Sequence, residues 1–240
     1  LAEKVGVSPP AIQKYENGKV VPSSDMLIKL TKALGISIEH LFRSQNITLG
    51  QLKFRKRESL GKKSFKAIEY TIRDQLERRL ELENCYPAPP IKPLKSDQLP
   101  RFQIGSLDDI EEVVIKIRDR WKLGLAPIHD LADVFENHGV RIIGIETDDR
   151  DFDGLFTFVN NEPIIVINKN WPGDRQRFNL AHELGHFVLH GILPDSLNEE
   201  KACNRFAGAF IFPKSSLIQV FGKHRSAIEW REVLFAKNEY

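Results

Sequence analysis

Cysteine is scarce in this chain. Only Cys85 and Cys203 occur among 240 residues, and neither has zinc-finger spacing. That excludes a disulfide scaffold and implies reduced thiols in a reducing compartment. No apolar run approaches the ~20 residues that span a bilayer, and no signal peptide is visible. Net charge is also small, +2 from 35 Lys/Arg and 33 Asp/Glu, but it is unevenly spread. Residues 1–85 carry sixteen Lys/Arg against ten Asp/Glu, which leaves the remainder at −4. The basic part is where DNA would bind, although a solvated helix over 64–82 explains most of the excess equally well. The expectation is a cytoplasmic protein with one small and one mid-sized domain.

What is present is more specific. His182-Glu183-Leu184-Gly185-His186 has the spacing of a zinc-peptidase helix. Residues four apart share a helix face, so His182 and His186 can address one ion. Glu183 projects about 100° around the axis, where a general base must stand to reach the attacking water. Phe178, Ala181, Leu184, Phe187 and Val188 supply an apolar stripe, and Gly191 ends the helix. The competing reading is a core helix whose histidines are only hydrogen-bonded.

A catalytic zinc site needs a third protein ligand. The candidates are His190, Asp195 and the pair Glu199/Glu200. A straight helix sets His190 about 12 Å from His182 along its axis, too far for one ion. His190 is therefore expected near the helix C-terminus or behind the ligands. Asp195 follows Pro194 in a turn. Glu200 opens a second apolar-periodic segment (Ala202, Cys203, Phe206, Ala207, Phe210) and shares its face with Asn204. Glu200 is the preferred third ligand, with Asn204 behind the first shell.

The stretch from Arg177 to His186, then Leu189-His190, then Glu200 to Pro213, resembles the ImmA/IrrE family of bacterial metallopeptidases. The resemblance runs from about residue 50 to the end. It implies His182, His186 and Glu200 as ligands and Glu183 as the base. It also implies zinc as cofactor and a DNA-binding repressor protein as substrate. A His₂Glu donor set would accept manganese or another divalent ion as well.

A second signal lies at the start. Leu1 to Val5 reads as a helix ending at Gly6, and Ser8 is expected to cap the next, with Pro9 in its first turn. That helix stops at Asn17-Gly18, a capped helix runs from Ser23 or Ser24 to Leu34, and another holds Ile38, His40 and Leu41. Residues 1–43 resemble the phage-repressor-like (Xre-type) helix-turn-helix. By that likeness the helix from Pro9 lies in the major groove, with Gln13 and Lys14 reading bases and Lys19 on a phosphate. The chain opens without methionine, part-way into what should be the second helix, so the first helix is expected to be missing. Val5, Ile12, Met26, Leu27, Leu30 and Leu34 should then be only partly covered. The segment Glu229–Phe235 is a strong amphipathic helix near the other end, which also looks cut.

Between these signals, Ile47–Leu49 and Leu52–Phe54 suggest a short strand, and Ser64–Leu82 a helix with Phe65, Ile68, Tyr70, Ile72, Leu76 and Leu80 apolar. Tyr86–Pro100, with five prolines, reads as a linker or surface arm. Helices are expected over Ser106–Leu123, capped by Ser106, and over Pro127–Glu136. A strand is expected over Val140–Glu146, then a hairpin of Gly154–Val159 and Pro163–Asn168 turning at Asn160-Asn161. Ile164–Ile167 is either a sheet edge that binds an extended substrate or a buried central strand.

The fold expected is α+β: a small all-α helix-turn-helix domain (1–45), connecting structure (46–100), and a zincin-like domain with a small sheet (101–240). Two functions are open. One is a zinc endopeptidase fused to a DNA-binding domain, cleaving a repressor, with homodimerisation if a palindrome is read and no membrane partner. The other is a non-catalytic DNA-binding regulator with a structural or sensory metal site.

Overall fold

The structure is a computed structural model and describes residues 1–42, 61–87, 92–100, 102–159 and 162–240. The expected strand over 47–54, the 45/46 boundary and the Asn160-Asn161 turn lie outside these residues. The chain divides into two compact units, Leu1–Asn46 and Ile47–Tyr240.

The first unit is helical: α1 (Ala2–Val5), α2 (Pro9–Glu16), α3 (Ser24–Leu34) and α4 (Ile38–Phe42). Gly6 ends α1 in the left-handed region (φ 74°), where a side chain would be strained. Ser8 occupies the N-cap position of α2, but its hydroxyl makes no capping bond. Proline at the helix start has no N–H to satisfy there, which lessens the need for that cap. Ser23 does cap α3, accepting from the Met26 amide at 3.3 Å. Val5, Ile12 and Leu30 are buried, with Met26 packed beside them, whereas Leu34 remains 49 % exposed.

The second unit is a three-stranded sheet between layers of helix. Its strands are β1 (Arg141–Ile145), β2 (Gly154–Val159) and β3 (Glu162–Asn168), in the order β1-β3-β2. β3 pairs parallel to β1 and antiparallel to β2. The edge-strand reading of Ile164–Ile167 is therefore corrected: β3 is central. Ile164 and Val166 face Ile68, Ile72 and Leu76 of α5 (Lys62–Glu83), while Ile165 and Ile167 join the core on the other side. Burial on both faces is why this strand is an unbroken apolar run. Tyr70 is not part of the α5 stripe; it stands 55 % exposed. Arg141 binds Glu162 at 2.6 Å and also Glu83, and Arg79 joins Glu83 to Glu136, so charged groups pin α5 to the sheet margin.

The opposite layer contains α6 (Asp109–Arg120), α7 (Leu131–Asn137), α8 (Gly173–Leu189) and α9 (Glu199–Ile211), followed by α10 (Lys214–Phe221) and α11 (Trp230–Glu239). α6 is shorter than expected and Ser106 does not cap it. Instead the Asp109 carboxylate accepts from the amides of Gly105 and Ser106, both at 2.8 Å. α7 starts at Leu131 rather than Pro127, because Asp130 caps it through the Asp133 amide. The proline-rich arm is packed where it is described. Leu94 is buried and donates to the Gly139 carbonyl at 2.9 Å, and Ser96–Gln98 forms one 3₁₀ turn. Among the described residues Arg118 is the largest buried polar side chain. Its guanidinium donates to the carbonyls of Gly124, Ala126 and Phe210, tying α6 to the end of α9. Among the described residues no helix is long and apolar enough to cross a membrane.

Candidate metal centre

The site is built where α8 and α9 meet. Leu184, Phe187 and Val188 bury one side of α8, but Phe178, expected in the same stripe, is 37 % exposed and lies beside the His182 ring. Gly185 sets the helix separation. A Cβ built there would lie 3.2 Å from the Phe206 ring and 3.3 Å from the Cys203 Cα. On α9, Asn198 caps the helix by accepting from the Lys201 amide at 2.9 Å, so Glu199 and Glu200 fall in its first turn. Acidic residues are favoured at that positive end of the helix dipole.

His182 and His186 are both partly buried, with ring centroids 4.9 Å apart. Their Nε2 atoms turn to one carboxylate: His182 Nε2 is 3.4 Å from Glu200 Oε2 and His186 Nε2 is 3.6 Å from Glu200 Oε1. Their Nδ1 atoms have separate partners. Nδ1 of His182 is 3.0 Å from Asn204 Oδ1, and Nδ1 of His186 is 2.9 Å from Glu199 Oε1. A carboxylate only accepts, so the proton on neutral His186 sits on Nδ1, which leaves the Nε2 lone pair facing Glu200. Glu183 is buried at 8 % exposure. A Cβ on Gly154, the first residue of β2, would lie 3.5 Å from Glu183 Oε1, so the strand backbone comes close to this carboxylate.

The two imidazoles differ electrostatically. Burial is the largest influence on His182 and opposes its charged form. The Glu200 hydrogen bond, the charges of Glu183 and Glu200, and Asn204 outweigh it, so the pKa lies above the ordinary 6.5. For His186 burial is again the largest influence. The Glu199 contact opposes it, but the neighbouring His182 adds to it, and the pKa falls below 6.5.

Donor atoms of His182, His186 and Glu200 lie within 4.8 Å of one another. Tetrahedral ligation with bonds of about 2.0–2.1 Å sets donors roughly 3.3–3.4 Å apart, close to the two separations above. This donor set fits a divalent ion. His190 is not in the cluster; it occupies the C-cap position of α8, exposed, with its ring nearly perpendicular to that of Phe158. Asp195 is exposed in the turn between the helices. Glu199, weighed from sequence only as an alternative ligand, instead meets the outer nitrogen of His186. Cys203, four residues on, places Sγ 3.4 Å from that same nitrogen. The i, i+4 spacing of Glu199 and Cys203 was the available signal for both. In the first unit, Gln13 and Lys14 are exposed on α2, and Lys19 is exposed just after it.

Comparison with known proteins agrees with both halves. Residues 135–239 match the IrrE N-terminal-like domain of peptidase family M78, and residues 1–41 match a helix-turn-helix family. The chain is also 32 % identical over 82 residues to the cryptic phage CTXphi transcriptional repressor RstR of Vibrio cholerae serotype O1. That match covers 32 % of this chain and 72 % of the repressor. Residues 135–239, which bring the two histidines and Glu200 together, are thus an IrrE-like domain of peptidase family M78, and residues 1–41 before them are a helix-turn-helix domain.

Proposed function

We propose that the protein is a zinc-dependent endopeptidase that cleaves a repressor, or a related helix-turn-helix protein, and thereby controls transcription. His182, His186 and Glu200 hold the ion and Glu183 is the general base. The observation that carries this reading is the division of labour in the two rings: both Nε2 atoms address Glu200 while both Nδ1 atoms are engaged behind. Such outer contacts fix tautomer and ring orientation for a metal. Zinc is the ion typical of this donor set, and manganese is chemically admissible.

When bound, the ion supplies Lewis acidity that polarises a peptide carbonyl and acidifies water. Glu183 takes the proton of the attacking water on its carboxylate and delivers it to the departing amide nitrogen. A structural site has no use for a buried carboxylate in that position, which favours the peptidase over the non-catalytic regulator. An extended substrate has an edge to join at β2, whose first residue borders Glu183.

The N-terminal domain (residues 1–45) binds DNA, with Gln13 and Lys14 toward bases and Lys19 toward phosphate. Residues 46–100 connect it to the peptidase domain (101–240). RstR is a phage transcriptional repressor, and an operator of that kind is the DNA target proposed here. A palindromic operator would require a homodimer. Elemental analysis of the purified chain beside Glu200→Ala tests the centre: about one zinc per chain, lost or weakened in the variant, is expected. Metal absent from both after zinc is supplied would make the protein a non-catalytic regulator.

A further inference from the structure

The centre described above uses one nitrogen of His186 toward Glu200. The other, Nδ1, stands 2.9 Å from Glu199 Oε1 and 3.4 Å from Cys203 Sγ. Glu199 and Cys203 are four apart on α9, so they leave one face of that helix, as His182 and His186 leave one face of α8. The donor atoms of His186, Glu199 and Cys203 lie within 4.8 Å of one another.

We propose that His186 is shared between two metal seats, and that His186, Glu199 and Cys203 form a second seat for a thiophilic ion such as cadmium. Its donors are a sulfur, a ring nitrogen and a carboxylate. The first seat, with two nitrogens and a carboxylate, has no sulfur, and thiolate ligands select softer ions. Zinc-length bonds of about 2.3 Å to sulfur and 2.0 Å to nitrogen set those donors roughly 3.5 Å apart in a tetrahedron, against the 3.4 Å here, and a larger ion such as cadmium needs them slightly wider. The seats also differ in access. Cys203 is fully buried, and the Glu199 side chain, 27 % exposed, is the approach; Glu200 of the first seat is 51 % exposed. A closed sulfur-containing set holds an ion, whereas an open one leaves room for substrate.

A neutral imidazole has one lone pair. An ion on Nδ1 leaves Nε2 protonated and unable to serve the first seat, so as long as the ring stays neutral, and does not lose its second proton to become a bridging imidazolate, occupancy of the two seats is exclusive at His186. A thiophilic ion in the second seat therefore silences the first. The seat follows from the side-chain cluster alone; its inhibitory effect rests on the peptidase reading above.

Cadmium ion alone is the probe, and thiolate-to-cadmium ultraviolet absorption is the readout. The full chain carries Cys85→Ser throughout, because Cys85 is an exposed thiol. The absorption should saturate near one equivalent, persist when Glu200→Ala is added, and vanish with Cys203→Ser. Glu199→Gln, which leaves the thiol in place, should weaken cadmium binding roughly ten-fold or more. Circular dichroism verifies the fold of each variant, and if Cys203→Ser does not fold, Glu199→Gln decides. No absorption in the folded Cys85→Ser chain, absorption surviving Cys203→Ser, or affinity unchanged by Glu199→Gln overturns the second seat. Failure of the peptidase reading would look different: no zinc on elemental analysis, with the sulfur–cadmium absorption intact.

Discussion

Gly185 of α8 and Cys203 of α9 approach so closely that a Cβ on the glycine would stand 3.3 Å from the Cys203 Cα. This contact brings the first turn of α9, with its two glutamates, to the imidazoles of α8. Gly185→Ala must push the helices apart by a few tenths of an ångström. Overpacking of this kind costs about 1–3 kcal/mol. Urea unfolding should show that loss and zinc titration a weaker site; unchanged values in both would show that the spacing is not set here.

Glu183→Gln keeps the shape of the base and removes its ability to take a proton. Repressor cleavage should fall by roughly 10²–10⁴-fold while bound zinc is retained. Cleavage at the parent rate would remove Glu183 from the mechanism.

Protonation gives opposite signs at the two histidines. In the metal-free chain His182 has a pKa above 6.5, so its stabilising contribution is full below that pH and is lost as pH rises through the raised value. His186 is depressed, so its contribution is present above 6.5 and is lost as pH falls through its lowered value. NMR titration should find His182 deprotonating at the higher pH. Zinc affinity should weaken as pH is lowered through the His182 value, because that ring must lose its proton to ligate. Coincident titrations would contradict the unequal surroundings of the two rings, which share Glu200 but have Asn204 behind one and Glu199 behind the other.

Arg118 tests the scaffold. Replacement by methionine keeps much of the volume but strands the carbonyls of Gly124, Ala126 and Phe210 without their donor. A loss of about 3 kcal/mol or more is expected, since each buried charge-assisted bond is worth roughly 1.5–3 kcal/mol. Thermal unfolding measures it, and a melting temperature within a degree or two of the parent would show that water replaces the guanidinium.

The DNA-contacting residues separate by type. Lys19→Ala should weaken binding to all sequences alike and lower the salt dependence by about one phosphate contact. Gln13→Ala should instead relax preference at one base position, at about 1–3 kcal/mol of discrimination. Equal losses on specific and random DNA for Gln13→Ala would take α2 out of the major groove.

The helix that carries His182 and His186 and the helical unit at the start of the chain were legible because both rest on local spacing. His182 and His186 are one helical turn apart whatever surrounds them, and a glycine such as Gly6 ends a helix from its own backbone freedom. Helix starts were less legible. The acid that engages the backbone at α6 is Asp109, reaching back to Gly105 and Ser106, and such a reversal leaves no periodic trace.

The sequence by itself determined the chemistry available: two imidazoles and a carboxylate at helical spacing, and a second acidic, apolar-periodic helix to follow. Only the tertiary structure decided how those groups divide. It set β3 in the middle of the sheet, with β2 at the edge beside Glu183. It sent adjacent glutamates to opposite nitrogens of one ring, because neighbours in a helix point about 100° apart and α9 meets His186 between them. That partition depends on the distance between two helices, and a one-dimensional pattern carries no distance between elements.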